Sequence, residues 1–194
     1  MSSTNRNAVR NKNDYYITPI NQIELFWEHF TKHNYINLYD SVLDPSAGGD
    51  PEHPIMPYPS VLQSHFNHPI KTIDIREDSI AEIKGNYLDL TMDKKYNIIV
   101  ANPPFNLAID FIKKALNDVA IDGYVIMLLR LNFFGSEKRY NFLKDNMPEE
   151  CYVHSKRMGF IPEQPNKTDS IEYAHFVWRN RHNRDYSTNL RIIR

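Results

Sequence analysis

The chain has 194 residues and a single cysteine, Cys151, which excludes an internal disulfide and any zinc site built from several cysteines. That scarcity fits a reduced, cytoplasmic setting. Net charge is scarce too, at −1, so overall basicity does not advertise nucleic acid and any such contact needs a local patch. There is no apolar run long enough to span a membrane, and Met1 to Asn13 is polar and rich in Asn and Arg, so it reads as neither signal peptide nor membrane segment. Internal repeats and dividing linkers are also missing. With 41% hydrophobic and 12% aromatic residues, this is the composition of one globular domain with a real core.

What the sequence does have is a run of mostly apolar residues, Tyr96-Asn97-Ile98-Ile99-Val100-Ala101, that stops at Asn102-Pro103-Pro104-Phe105. Such a run predicts a buried parallel strand that delivers a rigid polar loop at its carboxyl end, where open α/β sheets bind ligands. Prolines lack an N–H and have fixed φ, so the Pro103 carbonyl is hard to draw into a helix. The Asn102 amide oxygen is a second acceptor, and Phe105 is a flat apolar face. Two acceptors and a ring suit a planar group carrying an exocyclic NH₂.

The rest of the chain alternates strand and helix, which predicts an α/β fold with a mostly parallel sheet flanked by helices. Residues 1–13 read as a flexible arm. Ile20, Ile23, Phe26, Trp27 and Phe30 recur at helical spacing behind Thr18-Pro19, a helix start. A short strand at 41–43 runs into Asp44-Pro45-Ser46-Ala47-Gly48-Gly49-Asp50. The prolines between Asp50 and Ser60 predict an extended surface loop, with a helix only from Val61 to Asn67. His65 and His68 have no third ligand at a metal-binding spacing and read as ordinary helix residues. A strand at 69–74 ends in Asp74, with Glu77 and Asp78 close behind it. Behind Phe105 comes a helix ending near Asp122-Gly123, then a strand at 124–129 that delivers Arg130, Asn132, Phe133 and Phe134. A polar helix with Lys138, Arg139 and Lys144 offers either a solvated or a phosphate-contacting face. Strands at 152–154 and 171–178 bracket a loop with Arg157, Phe160 and Lys167, and residues 181–194 form a basic tail.

Asn-Pro-Pro-Phe after a strand resembles the catalytic motif of S-adenosylmethionine-dependent amino methyltransferases, especially DNA adenine-N6 enzymes of the phage type. The resemblance covers roughly Asp14 to Trp178. It implies a single-domain, Rossmann-like methyltransferase fold over residues 14–180 with a seven-stranded sheet. Tyr16, Thr18 and Pro19 resemble the segment that packs against the methionine end of the cofactor. Asp44, Pro45, Ser46, Ala47 and Gly48 are similar to the family's Asp-Pro-Phe-x-Gly-x-Gly loop, although Asp50 stands where a glycine belongs. Asp74 and Ile75 take the place of the ribose-binding strand end, and Asn86 and Tyr87 that of the Asp-Phe-Leu segment at the adenine ring. On this resemblance Asn102, Pro103, Pro104 and Phe105 are catalytic, Asn102 also meeting the cofactor, while Phe105, Arg130, Asn132 and Phe133 face the substrate.

The implied reaction is methyl transfer from S-adenosylmethionine to adenine N6 in DNA, either single-stranded or a duplex with the base flipped out, without a metal. Cytosine C5 transfer is disfavoured because Cys151 lies outside the loop. RNA exocyclic amines, a glutamine side chain, and a silent nucleic-acid-binding subunit are the alternatives. With only the proline-rich loop and the 156–170 loop to read bases, help from a protein partner is expected. The implied location is the cytoplasm of a bacterium or of a phage-infected host cell.

Overall fold

The structure is a computed structural model that describes residues 17–160, 168, 170–182 and 187–194. The 1–13 arm, Tyr16, Lys167 and residues 161–167 and 169 of the polar loop lie outside the described residues.

One sheet is built from β1 (Val42–Asp44), β2 (Lys71–Asp74), β3 (Ile83–Lys84), β4 (Tyr96–Ala101), β5 (Val119–Arg130), β6 (Glu150–His154), β7 (Tyr173–Arg179) and β8 (Asn189–Ile193). Their spatial order is β3-β2-β1-β4-β5-β7-β6-β8. Every neighbouring pair is parallel except the two made by β7. The α/β, mostly parallel expectation therefore holds, with eight strands among the described residues where seven were expected.

The continuous apolar runs are explained by burial on both faces. Ile98 and Val100 of β4, with Tyr124 and Ile126 of β5, enter one core under α1 (Ile20–His33) and α2 (Pro57–Leu62). Ile99 and Ala101, with Val125 and Met127, enter the other under α3 (Ala108–Asp118) and α4 (Glu137–Asp145). Successive side chains of a strand point to opposite faces, so both parities must be apolar.

Three boundaries differ from the sequence reading, each for a local reason. First, α2 begins at Pro57, four residues before the predicted start. The first helical turn has no internal partners for its N–H groups, so Pro57 and Pro59 lose nothing there; the first bond runs from Ser60 N to Met56 O, at 3.0 Å. Second, α3 ends at Asp118, because β5 already pairs Val119 with Tyr96 before bulging and rejoining β4 at Tyr124. The bulge contains Asp122 at φ 63° and Gly123, where a Cβ would come within 2.6 Å of the Asn97 carbonyl. That glycine marks a close strand crossing and not a helix end. Third, the stretch read as a basic tail contains β8, which lies parallel to β6 and buries Ile193.

The carboxyl ends of β1, β2, β4 and β5 open along one edge of the sheet. There the chain places its glycine pair, its strand-end aspartate, the Asn-Pro-Pro-Phe loop and Arg130.

Candidate functional site

One cavity at that edge is lined by Thr18, Pro45, Ser46, Ala47, Gly48, Asp74, Ile75, Asn86, Tyr87, Asn102 and Pro104 from among the predicted site residues. Segments from 18 to 104 in the sequence thus meet around one space. Tyr58, Arg76, Leu107 and Phe111 line it as well, and sequence reasoning missed them in this role. Tyr58 was hidden by the assumption that prolines forbid a helix. Leu107 and Phe111 read as core positions of α3. Arg76 had a signal, its spacing of two from Asp74.

The Asn-Pro-Pro-Phe loop is held from both sides. Asn102 Nδ2 donates to Thr18 Oγ1 at 3.1 Å, and Ser46 Oγ donates to the Asn102 carbonyl at 3.1 Å. The bond to Thr18 fixes which end of the amide is the nitrogen and which the oxygen. The Pro104 carbonyl closes a turn by accepting from Leu107 N at 2.9 Å, whereas no donor among the described residues reaches the Pro103 carbonyl. Phe105 begins the 3₁₀ turn that leads into α3; its ring centroid lies 4.8 Å from the Arg130 guanidinium carbon and 5.8 Å from that of Tyr173.

The glycine loop is shaped by the strand that follows. Gly48 and Gly49 adopt φ of 72° and 69°, and a Cβ on Gly49 would approach Ile80 within 2.7 Å. Both conditions demand glycine. Asp74 Oδ2 accepts from Gly48 N at 2.8 Å, and its Oδ1 accepts from Arg76 N at 2.9 Å.

Below the loop, Asp44 is 1% exposed; Oδ1 accepts from Ser46 N at 3.0 Å, but Oδ2 has no hydrogen-bond partner among the described residues. Burial pushes its carboxyl up to about 8, helped by the nearby charge of Asp74 and opposed by the Ser46 N–H. An orphaned buried carboxyl oxygen is costly and rare.

Tyr58 forms part of the wall and is tethered from behind. Its hydroxyl lies 2.9 Å from His175 Nε2, His175 Nδ1 lies 2.8 Å from His154 Nε2, and His154 Nδ1 lies 2.8 Å from Gln22 Oε1. A consistent proton pattern runs through this chain with both rings neutral: His154 donates to Gln22, His175 to His154, and Tyr58 to His175. Burial enforces that neutrality, lowering His154 to about 4 and His175 well below its ordinary value.

Several predicted residues stand elsewhere or carry structural work. Pro19 is the residue before α1 and lines a second cavity with Thr18, Ile55 and Met158. Asn86 borders the first cavity, yet its oxygen accepts from Leu88 N at 3.2 Å and its nitrogen donates to Asp89 at 2.7 Å, so it caps a turn. Tyr87 is a fixed wall of the cavity, since its ring is buried and its hydroxyl donates to Asp118 at 2.9 Å. Phe133, expected to face the substrate, is buried among Phe142, Phe176 and Trp178 in an edge-on aromatic cluster. Asn132 beside it is exposed. Arg139, one candidate for phosphate contact, spends its guanidinium on the Phe133 and Asn132 carbonyls, at 2.7 and 2.9 Å. No group of three or more metal-ligating side chains occurs among the described residues, nor is any described helix long and apolar enough to cross a membrane.

No family model matches the chain, and no curated protein matches it in sequence. Solved structures do match in shape. A candidate class I S-adenosylmethionine-dependent methyltransferase of Listeria monocytogenes superposes with TM-score 0.63 at 13% identity, over 96% of this chain and 68% of that one. A candidate RNA methyltransferase of Pyrococcus horikoshii gives 0.62 at 15%, over 87% of each. The modification subunit of a candidate type I restriction enzyme of Vibrio vulnificus gives 0.58 at 12%, over 86% of this chain; the chain spans only 44% of that subunit. Likeness at these identities establishes the fold, a Rossmann-like methyltransferase sheet.

Proposed function

We propose that the chain transfers a methyl group from S-adenosylmethionine to the N6 amino group of adenine in DNA. The observation that carries the reading is the clamp on Asn102, whose side chain is oriented by Thr18 and whose carbonyl is held by Ser46. That clamp fixes the orientation of the amide beside the Pro103 carbonyl, so the two acceptors are preorganised relative to one another.

The residues present fit the cofactor. Asp44, directly before the lining residues Pro45 and Ser46, has an Oδ2 that meets no donor among the described residues, and the cofactor's ammonium group would supply one. Gly48 and Gly49 keep the backbone bare for close approach, Asp74 offers carboxylate oxygens to ribose hydroxyls, and Ile75, Asn86 and Tyr87 border the space for an adenine ring. When bound, the cofactor would supply an electrophilic methyl group on a sulfonium whose neutral thioether is the leaving group, and N6 would give up one proton to water as the new bond forms.

The chain's own part is alignment and electrostatics. Adenine N6 is a weak nucleophile because its lone pair is delocalised into the ring. Accepting both amino hydrogens, at Asn102 Oδ1 and the Pro103 carbonyl, favours the pyramidal geometry in which that lone pair points at an electrophile. Phe105 stacks on a base taken out of its helix, and Arg130 beside it places a positive charge where the flanking phosphates must pass. The restriction-type neighbour favours DNA, with a partner subunit helping to choose the site. The RNA enzyme among the neighbours makes RNA the second outcome to test.

The test is nucleoside mass spectrometry on DNA and RNA from cells expressing the wild type or Asn102→Ala. N6-methyladenine in DNA with the wild type alone is the expected result. A methylated base in RNA only would keep the reaction and change the substrate; no methylated nucleoside in either would remove the proposal.

A further inference from the structure

Asp50 stands where the resemblance calls for glycine, and the structure shows what it does there. Its Oδ1 accepts from Glu52 N at 2.9 Å and His53 N at 2.7 Å, while its own N–H donates to the His53 carbonyl at 3.0 Å. These bonds close a tight turn that sends the chain sideways toward α2. The other carboxylate oxygen lies 3.7 Å from Arg76 Nη1.

Arg76 draws the surrounding pieces together. Nη2 donates to the Gly49 carbonyl at 2.8 Å, Nη1 lies 3.5 Å from Asp78 Oδ1, and Nε lies 3.4 Å from Asp74 Oδ1. Ser79 Oγ donates to the Gly48 carbonyl at 2.7 Å, so both carbonyls of the glycine pair are held by the segment after β2. The Arg76 side chain is only 10% exposed and borders the cavity. A planar guanidinium serves this place because its forked donors reach several acceptors at fixed angles, which an ammonium cannot do.

We infer that Arg76, paired with Asp50, is a positioning residue that sets the Asp74 carboxylate and the Gly48-Gly49 turn for the adenosine half of the cofactor. The pair takes over the task of the missing glycine: the loop is steered by an ion pair across the cavity's rim instead of by a bare backbone. The inference rests on the proposed cofactor, and it concerns only the half of the site remote from the methyl group.

Asp44 approaches Asp74 from β1, Asp50 from the glycine loop and Asp78 from the turn after β2, with His53 Nδ1 3.5 Å from Asp50. Removing the guanidinium takes away the donors that hold the Gly49 carbonyl and flank Asp74, so the carboxylate no longer meets ribose hydroxyls at a set angle. The probes are 5′-methylthioadenosine, which carries the adenosine half but no ammonium group, and its 2′,3′-dideoxy analogue, which lacks the ribose hydroxyls. Binding of both is measured by calorimetry for the wild type, Arg76→Gln and Arg76→Lys.

Arg76→Gln should bind methylthioadenosine about tenfold more weakly while binding the dideoxy analogue about as well as the wild type does, and Arg76→Lys should recover little of the loss because an ammonium cannot reach the same acceptors. Equal affinities across all three proteins, or the same loss for both probes, would overturn the inference. If Arg76→Gln does not fold, Asp50→Asn reads the pair from the other side: it keeps the turn's acceptor and loses the charge, and unchanged affinity would count against the pair. Failure of the wild type to bind either methylthioadenosine or S-adenosylmethionine would remove the proposed function and this inference together, whereas wild-type binding with no effect of the variants removes the inference alone.

Discussion

Thr18 and Asn102 are 84 residues apart in sequence, and the 3.1 Å bond from Asn102 Nδ2 to Thr18 Oγ1 decides which end of the amide is the acceptor. Thr18 is 2% exposed and lies two residues before α1, so the helix start and the loop after β4 form one rigid unit.

Two substitutions separate alignment from binding. Asn102→Ala removes an acceptor for the amino group and should lower kcat by about 10²–10³ with cofactor affinity within a few-fold, as for loss of one preorganised polar group. Thr18→Val keeps the volume but frees the amide to turn, and a smaller loss in kcat, about tenfold, is expected. Steady-state kinetics and cofactor calorimetry on both variants check this; equal kcat in Thr18→Val and wild type would show that the bond does not orient the amide.

Stability should pass through a maximum near pH 6.5. His154, lowered to about 4, and His175, lowered further, are neutral in the fold but protonate in the unfolded chain below about 6.5. The unfolded state then binds more protons, so stability falls as pH drops from 6.5 toward 4. Asp44, raised to about 8, is protonated in the fold and ionised in the unfolded chain above about 4. Its contribution is complete below that value and is lost as pH rises toward 8. Between pH 4 and 6.5 the two histidines outweigh one aspartate; above 6.5 only Asp44 acts, with a slope of about 1.4 kcal/mol per pH unit. Denaturant melts from pH 5 to 9 test this, and Asp44→Asn should flatten the alkaline side and steepen the acid side.

The same carboxyl predicts proton release. A ligand ammonium placed beside Asp44 favours its ionised form, so binding S-adenosylmethionine at pH 7 should expel a proton and tighten between pH 6 and 7.5. Calorimetry in buffers of different ionisation enthalpy measures it directly. Methylthioadenosine, lacking the ammonium, should release none.

How much of this was legible in the residues depends on what each signal measures. The apolar runs at 96–101 and 124–129 predicted central strands because burial on both faces leaves no polar parity to confuse the pattern. Strand-end residues such as Asp74 and Asn102 were legible because parallel sheets put loops at one edge. Phe133 was not, because proximity to Arg130 and Asn132 in sequence does not reveal which way a turn points a ring. Nor was Tyr58, since proline at the start of a helix looks the same in sequence as proline that prevents one. β8 was hidden by an inverted pattern: Leu190 and Ile192 lie on the exposed parity, while Arg191 shares the face of Ile193, the strand's buried residue, and bridges to Glu150.

Arg139 gives the last prediction, because it divides two readings of one basic residue. Its guanidinium donates to the carbonyls of Phe133 and Asn132 and lies over the Phe133 ring at 5.1 Å, so α4 is bolted to the turn that follows β5. If the side chain served phosphates, Arg139→Met would weaken nucleic-acid binding and reduce its salt dependence while leaving the fold unchanged. The geometry instead predicts a loss of about 1–3 kcal/mol in stability, from two charged hydrogen bonds to backbone oxygens, with the salt slope of binding unaltered. Phe133→Ala, by emptying the aromatic cluster that the turn covers, should cost about 3–5 kcal/mol. Denaturant melts of both variants, set beside oligonucleotide binding at two salt concentrations, decide between the readings; a wild-type melt for Arg139→Met with a shallower salt slope would return Arg139 to the nucleic-acid face.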